Sequence, residues 1–351
     1  MQKKLIALAV ASILAAPLAA QAGVEVYGQA RMSLDFSSNN DPVATNEDSA
    51  LAVSSNKSRL GFKGDEDLGG GLKALWQFEQ QVDFDTSTWG ATKRDAFVGL
   101  GGDFGTVLAG RINTPYKNAT KDMDIFTNTR GDYNAIMGVV NSANPTFNNR
   151  FDNSIQYKTP DMGGFKGALA YSVNRSSDNL PMTTAASETD GFSLSGSYMQ
   201  GPLFLTAAYE SLNSATPVVG GFDDAAAWKI GGSFTLGGMT TLGAIWESAD
   251  LGGPNADRDA IYLNLAHKMD AITLKAAFTM ADEVGSVADT GATQFALGAS
   301  YALSKTTEAY ALYTMVGNDS AAAYRVEQVG GVVGEDVSSF SVGINHTFSS
   351  K

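Results

Sequence analysis

Six basic residues occur where alternating apolar neighbours predict strands with two unlike faces. Arg59 and Lys63 alternate with Leu60 and Phe62, and Arg31 lies on the polar side of the first such segment. The six candidates are Arg31, Arg59, Lys63, Arg94, Arg111 and Arg150. Fixed guanidinium and ammonium groups attract and orient charged solutes, so the chemistry that they indicate is electrostatic rather than covalent.

The segment 114–149 supplies acidic side chains that could face these basic residues. It runs for about 36 residues, far longer than an ordinary connection. Its acidic candidates are Asp122, Asp124 and Asp132. An apolar stretch at 135–140 must be buried somewhere, and the aromatic content of the segment argues against the alternative of a disordered external loop. We therefore expect this loop to fold inward and to narrow an enclosed space beside the basic face.

The elements that would position these side chains are strands of about ten residues, repeated along residues 24–348. In the first strand, apolar or small residues occupy the even positions from Val24 to Phe36, and polar residues occupy the odd ones. Short turns alternate with long polar connections, which gives about 16 strands and lets both chain ends meet at one rim. The long connections are predicted near 37–56, 85–92, 114–149, 176–190, 213–225, 250–258, 282–292 and 317–337.

A strand that is apolar on one face and charged on the other separates an apolar phase from water. The predicted fold is therefore all-β: a transmembrane antiparallel β-barrel of about 16 strands, with the third long loop folded into the lumen. A soluble β-sandwich is the alternative, but its packed faces would need more apolar residues. The alternation leaves the facing of Arg94 and Arg111 open. An inward placement is favoured, because a charge facing lipid costs about 2–4 kcal/mol at the bilayer midplane.

The first 22 residues have the pattern of a secretory signal peptide. Lys3 and Lys4 precede an apolar run of about a dozen residues, and Ala20-Gln21-Ala22 fits a small-x-small cleavage site. The run is short for a membrane anchor, which is the alternative. We expect residues 1–22 to be a cleaved signal peptide and residues 23–351 to form one barrel domain.

Composition excludes several classes of function. The chain has no Cys, which excludes thiolate catalysis and Cys-ligated metals, and its formal charge of -13 disfavours nucleic acid as a partner. Without a Gly-x-Ser-x-Gly elbow or a phosphate loop, we expect no enzyme activity and no cofactor. No metal site is predicted, although Asp122-x-Asp124 or Asp223-Asp224 could hold a divalent cation through carboxylate oxygens.

Several ordered motifs resemble general Gram-negative porins across nearly the whole chain. They are SRLGFKGDEDLG at 58–69, RDAFVGL at 94–100, FGTV at 104–107, Gly110-Arg111 with Thr114-Pro115-Tyr116, and NSIQY at 153–157. The resemblance implies a 16-stranded trimer whose third loop constricts the pore. It assigns Arg59, Arg94 and Arg150 to a basic wall and the acidic residues of 114–149 to the opposing loop. One departure is that the family usually ends on an aromatic residue, whereas Phe348 is followed here by Ser349-Ser350-Lys351.

The expected function is passive diffusion of ions and small hydrophilic solutes across the Gram-negative outer membrane. The expected partners are outer-membrane lipid and lipopolysaccharide, two further copies of the chain in a homotrimer, and the assembly machinery that reads the last strand. The acidic loops and the negative net charge concentrate cations at the mouth, whereas the arginines inside favour anions. We expect weak cation selectivity. A substrate-specific channel and a structural or adhesive barrel without transport are the alternatives.

Overall fold

The computed structural model describes residues 23–39, 49–139, 147–173, 189–218, 222–250, 252 and 256–351. The predicted signal peptide at 1–22 lies outside the described residues. Within these ranges seventeen strands form one sheet. The strands are β1 (Glu25–Ser38), β2 (Ser49–Ser55), β3 (Arg59–Gly69), β4 (Leu72–Asp83), β5 (Thr88–Gly102), β6 (Gly105–Asn113), β7 (Arg150–Lys158), β8 (Phe165–Val173), β9 (Thr189–Gln200), β10 (Leu203–Val218), β11 (Phe222–Leu236), β12 (Thr240–Asp250), β13 (Asp257–Met269), β14 (Ile272–Ala281), β15 (Ala292–Ala302), β16 (Thr307–Asn318) and β17 (Val337–Ser349).

The sheet closes on itself as an antiparallel barrel of 16 wall strands. β1 pairs with β17 along its length, for example Arg31 with Asn345. Its other edge pairs with β2 over one half and with β3 over the other, so these two segments together make one interrupted wall strand. The interruption is at Lys57, whose φ of 56° breaks the extended backbone. The fold predicted from the alternating pattern is confirmed. Among the described strands, pairing of β1 with β17 closes the sheet, while β2 is paired with β1 on one edge only.

The alternation of β1 places polar side chains inside the barrel and apolar ones outside. Ser33 and Asp35 are buried, whereas Leu34 and Phe36 are exposed on the outer face. Successive side chains of a strand point to opposite faces, so one sequence pattern builds a lipid-facing surface and a polar lumen together.

Two of the predicted long connections are mostly strand. β4 ends at Asp83 and β5 begins at Thr88, inside the connection predicted at 85–92. β10 continues to Val218 and β11 begins at Phe222, inside the connection predicted at 213–225. A ladder that extends beyond the apolar band is wet on both faces. Its residues therefore lose the alternation that marks a strand in the sequence, while the backbone hydrogen bonds continue.

A loop enters the barrel between β6 and β7. We call residues 114–149 the inward loop; the structure describes them to 139 and from 147. It begins with the short helix α1 (Pro115–Thr120), whose first turn is capped by the Thr114 hydroxyl accepting from the Lys117 amide at 3.1 Å. Among the described residues, no helix is long and apolar enough to cross a bilayer.

The buried apolar core lies between the inward loop and the inner wall of the barrel. Ile136, Met137 and Phe147 of the loop are fully buried, and Ile245 and Tyr262 of the wall are covered with them. Burial of the apolar stretch therefore holds the loop inside the lumen, as predicted from apolar residues that must be buried somewhere.

Candidate functional site

A water-accessible cavity of about 680 Å³ lies between the inward loop and the wall strands that follow β2. Seven basic and five acidic side chains line it. They are Arg31, Lys57, Arg59, Arg94, Lys117, Lys121 and Arg150, with Glu79, Asp95, Asp122, Asp132 and Glu327. Six of the nine residues predicted from the sequence meet here: Arg31, Arg59, Arg94, Arg150, Asp122 and Asp132.

Three arginines on the wall side are paired with carboxylates of neighbouring strands. Glu79 of β4 accepts from Arg94 of β5 and lies 3.8 Å from the Nε of Arg59 on β3. Arg150 donates from Nε to Asp95 Oδ1 at 2.6 Å. The antiparallel register brings these side chains to one height on the inner face. The wall is therefore a ladder of alternating charges rather than a bare row of cations.

Arg31 differs from the other wall arginines, because it makes no ion pair with a described residue. Its Nε donates to Gln29 Oε1 at 2.9 Å, and its Nη1 donates to the Thr127 carbonyl of the inward loop at 3.2 Å. The positive charge of Arg31 is thus hydrogen-bonded to neutral groups and is left uncompensated at the edge of the cavity.

The inward loop presents basic side chains to the cavity as well as the predicted carboxylates. Lys117 and Lys121 line the cavity beside Asp122. Burial, followed by the positive charges of Arg150 and Lys57, lowers the pKa of Lys117 well below its ordinary value. Only the acidic residues of this loop were predicted as site residues, and neither lysine was among them.

Lys57 links the inward loop to a second loop that enters the lumen. Its Nζ lies 3.6 Å from Asp132 Oδ2 and 3.2 Å from Glu327 Oε2. Burial opposes the charge of Lys57, but the carboxylates of Glu327 and Asp132 outweigh it and raise the pKa of this lysine.

The second loop comprises residues 319–336, between β16 and β17. Tyr324 and Val326 are buried inside the barrel, and Glu327 and Gln328 line the cavity. Gln328 Nε2 donates to the Ser55 carbonyl at 2.9 Å, which ties the loop to the interruption of the wall strand. The connection itself was predicted at 317–337, but its entry into the lumen was not. Tyr324 and Val326 carry the signal that identified the inward loop, namely apolar residues inside a polar connection.

Three predicted residues lie away from the cavity. Lys63 pairs with Glu25 at 3.3 Å and lies over the Tyr27 ring, 4.9 Å from its centroid, near the chain ends. Arg111 pairs with Asp152 of β7 and does not line the cavity.

Asp124 is the third, and it points away from the lumen. Its side chain is buried beneath the inward loop, where Oδ1 accepts from the Phe126 amide at 3.0 Å. Burial, and then the charge of Asp132, raise the pKa of Asp124 well above its ordinary value, which favours the neutral acid.

A fully buried network of charges lies on the opposite side of the inward loop. We call Lys229, Glu247 and Arg258 the wall latch; all three have no exposed side-chain surface. Glu247 Oε1 accepts from Arg258 Nη2 at 2.8 Å, and Lys229 Nζ lies 3.4 Å from Oε2. Hydrogen bonds from and to residues of the inward loop complete this network.

The contacts between the wall latch and the loop are specific. The Tyr116 hydroxyl donates to Glu247 Oε2 at 2.9 Å and the Gly138 amide donates to Oε1 at 2.6 Å. Arg258 Nη1 donates to the Ile136 carbonyl at 2.9 Å. The two ends of the loop are therefore held to the wall through one carboxylate and one guanidinium.

The wall and the loop thus both carry charges of both signs, unlike the predicted basic wall that faces an acidic loop. Fixed charges around a wet cavity act on charged and dipolar solutes without chemical change. Within the described residues, no group of three or more His, Asp or Glu side chains is arranged to hold a metal ion.

Comparison with known proteins gives a consistent pattern. The family model described as Gram-negative porin matches residues 7–322. The chain is 33% identical to the major outer membrane protein P.IB of Neisseria meningitidis over 208 residues, which is 58% of this chain and 57% of that protein. The chain therefore aligns with a little more than half of the length of this relative.

Solved structures extend the similarity to the whole barrel. The anion-selective porin from Comamonas acidovorans superimposes with a TM-score of 0.78 at 25% identity, covering 93% of this chain and 100% of that one. OmpT of Vibrio cholerae, described in a trimer form, has a TM-score of 0.66 at 19% identity, covering 93% of this chain and 99% of that one. At this identity the second likeness supports the fold alone.

Proposed function

Since this chain belongs to the Gram-negative porin family, we propose that it forms a channel for passive diffusion of ions and small hydrophilic solutes, narrowed by the inward loop. Family and fold are those of an outer-membrane channel rather than of an enzyme. The loop and the wall ladder together supply the narrow, charged passage that such a channel needs to discriminate between solutes.

The channel prefers anions, and the charge balance of the cavity supports this. Seven basic and five acidic side chains line it, a formal excess of two positive charges in the cavity beside the inward loop. The net charge of the whole chain had favoured weak cation selectivity, but most acidic residues lie outside this cavity. Charges at the constriction act at short range, whereas those on distant loops are screened within about 8 Å at physiological salt.

The pairing pattern strengthens the proposal. Arg31, Lys117 and Lys121 make no ion pair with a described residue, whereas Asp122 is the one cavity carboxylate in the same condition. A mobile anion passing through the cavity meets these uncompensated cations in succession. The Comamonas relative, whose name records anion selectivity, has the same fold over 93% of this chain.

We also propose that three copies associate in the membrane. The outer face carries exposed apolar side chains such as Leu194, Leu205 and Ile230, and the solved OmpT of Vibrio cholerae is described as a trimer. Apolar strand faces pack against lipid or against a second barrel equally well, so the oligomer is an expected state.

Lipopolysaccharide and the assembly machinery remain the expected partners. The outward residues of β17, which include Phe340, Val342 and Ile344, form the apolar strand that the machinery would read. The tail after Phe348 continues the sheet: the Ser350 amide donates to the Val26 carbonyl at 2.9 Å. Because the tail is hydrogen-bonded to β1, the apolar alternation of β17 up to Phe348 is kept.

The test is single-channel recording of the purified, refolded protein in a planar bilayer under a KCl gradient. We expect conductance steps that close in threes and a reversal potential displaced toward the Cl⁻ equilibrium value. A displacement toward the K⁺ value would contradict the anion preference but keep the channel.

Two other outcomes separate the alternatives. Folded, inserted protein without conductance would favour a structural or adhesive barrel. Conductance that saturates at low concentrations of one solute class would favour a substrate-specific channel. For any charge substitution in the cavity, Lys166→Glu is the control. This exposed lysine pairs with Asp161 outside the cavity, so its substitution is expected to leave the reversal potential unchanged.

A further inference from the structure

A second, smaller cavity lies between the inward loop and the rim that carries both chain ends. Its volume is about 130 Å³. Loop residues 125–127 and 129 form its roof, and side chains of β1 and β14–β17 form its walls. Its lining combines charged groups with apolar surface, unlike the larger cavity above it.

Two cations and one carboxylate border the small cavity. Arg31 and Lys275 make no ion pair with a described residue, and neither does Glu308. Arg31 is opposite Asn345 across β1 and β17, and Asn345 is opposite Glu308 across β17 and β16. The formal excess is therefore one positive charge.

Asn345 adds an unsatisfied polar group to this row. Its side-chain oxygen is buried and has no hydrogen-bond partner among the described residues. A half-turn of the amide exchanges its oxygen and nitrogen, so the group can donate to an anion that enters the cavity. The Nη2 group of Arg31 is also without a described hydrogen-bond partner, since its two bonds are made by Nε and Nη1.

Part of the remaining lining is apolar, beside the hydroxyl groups of Thr127, Thr129, Ser300 and Tyr310. Phe126 of the loop and Leu312 of β16 are buried at the cavity and supply its apolar surface together with Ile125. Side chains of this kind favour an apolar ligand group, because covering it removes apolar surface from water.

We infer that this cavity binds a small organic anion: a carboxylate attached to one aromatic ring or to a short branched apolar group. The carboxylate would lie between Arg31 and Lys275, and the apolar group would lie against Phe126 and Leu312. The volume of about 130 Å³ is on the scale of one small ring, since an engineered apolar cavity of about 150 Å³ holds benzene. The carboxylate would extend from it toward Arg31 and the open lumen.

Arg31 borders both cavities and therefore connects this inference to the channel. A solute that leaves the large cavity reaches Arg31 before it enters the small one. The inference rests on the proposed function only for the route of entry; binding itself does not require current through the channel. Retention at this point would slow organic anions and reduce the current of small ions.

The test is equilibrium binding of 4-fluorobenzoate to the detergent-solubilised protein by ¹⁹F NMR, with three competitors. We expect benzoate to displace the probe. We expect acetate, which lacks the ring, and benzyl alcohol, which lacks the charge, to be at least about tenfold weaker. Equal displacement by acetate and benzoate would overturn the inference, because the larger cavity alone would produce that result.

Three variants test the assigned residues. Lys275→Gln is expected to weaken binding about tenfold through loss of one charge-assisted hydrogen bond, and Glu308→Gln is expected to strengthen it. Lys166→Gln makes the same charge change at an exposed turn and is expected to leave binding unchanged. Unchanged binding in both Lys275→Gln and Glu308→Gln would overturn the assignment. If either variant does not fold, the competitor series on the unmodified chain decides.

Bilayer recordings of the same preparations separate this inference from the proposed channel. Benzoate is expected to reduce the KCl current of the unmodified chain more than acetate does at equal concentration. A closed channel that still binds 4-fluorobenzoate selectively would contradict the diffusion function and retain the site. An open channel without selective binding would support the diffusion function and overturn the site.

Discussion

Charged residues of the same types lie against the two faces of the inward loop, but they differ in their exposure to water. On the lumen face, the ion pair of Lys57 and Glu327 leaves 28% and 25% of the two side chains exposed. On the wall face, Lys229, Glu247 and Arg258 are fully buried. One set of charges remains in contact with water and solute, and the other is sealed between the loop and the barrel.

This difference in solvent determines what each set can do. Partly exposed pairs are weak, so their charges act on passing ions and can rearrange at small energetic cost. A buried network resists change, because removing one partner leaves an uncompensated charge in a low-dielectric surrounding. The wall face therefore fixes the position of the loop, while the lumen face sets the field in the cavity.

The largest effect is expected from Glu247→Gln in the wall latch. The substitution removes the one carboxylate that pairs directly with both Lys229 and Arg258 in a fully buried site, so we expect about 3–5 kcal/mol of destabilisation. The displaced loop should also widen the spread of single-channel conductance values. Urea unfolding in detergent and single-channel recording measure the two effects.

Glu327→Gln is the matched change on the lumen face. It breaks a pair that is partly exposed, so we expect a loss of less than about 1 kcal/mol. Equal destabilisation by the two substitutions would contradict the conclusion that the wall face alone fixes the position of the loop.

The next effect is on ion selectivity, from Lys117→Glu combined with Lys121→Glu. The cavity balance changes from an excess of two positive charges to an excess of two negative ones. We expect the reversal potential under a KCl gradient to change sign toward the K⁺ value. A reversal potential that stays on the Cl⁻ side would place the selectivity outside this cavity.

A smaller effect is expected from pH. The pKa of Lys117 lies well below its ordinary value of 10.5, because burial and neighbouring cations disfavour the charged form. Lys117 is charged below its lowered pKa and neutral above it, so anion preference should fall as the pH rises through that value. Reversal potentials recorded between about pH 6 and pH 10 measure this change.

Lys117→Arg is the control for the pH effect, because a guanidinium stays charged over the whole range. We expect this variant to keep its anion preference where the unmodified chain loses part of it. The same loss in both proteins would assign the titration to another group.

The smallest effect is expected from Asp124→Asn, although this residue was predicted as part of the constriction. Asp124 is buried beneath the loop and its raised pKa favours the neutral acid, so removing its charge should leave the reversal potential unchanged. Asp132→Asn, at the cavity and beside Lys57, is the comparison that should increase anion preference. A larger effect from Asp124→Asn would contradict the placement of its side chain.

The site could be predicted in part, because alternation fixes which face of a strand a side chain occupies. Arg59 and Arg31 follow from that rule alone, and both line the cavity. Arg111 is in phase with the exposed Val107 and Ala109, so alternation does not predict its inward facing. The structure pairs it with Asp152 away from the cavity. Inside the loops no period exists, so Lys117, Lys121 and Asp124 could not be sorted by face.

The sequence by itself determined the barrel, its two unlike faces and the burial of the loop between β6 and β7. Each of these follows from local rules: a period of two along strands, and apolar residues that must leave water. Only the tertiary structure decided that carboxylates pair with the wall arginines, that Glu327 enters the lumen from the second loop, and that Glu247 holds the inward loop. Those contacts join residues that are far apart in the chain, and closure of the barrel is what brings them together.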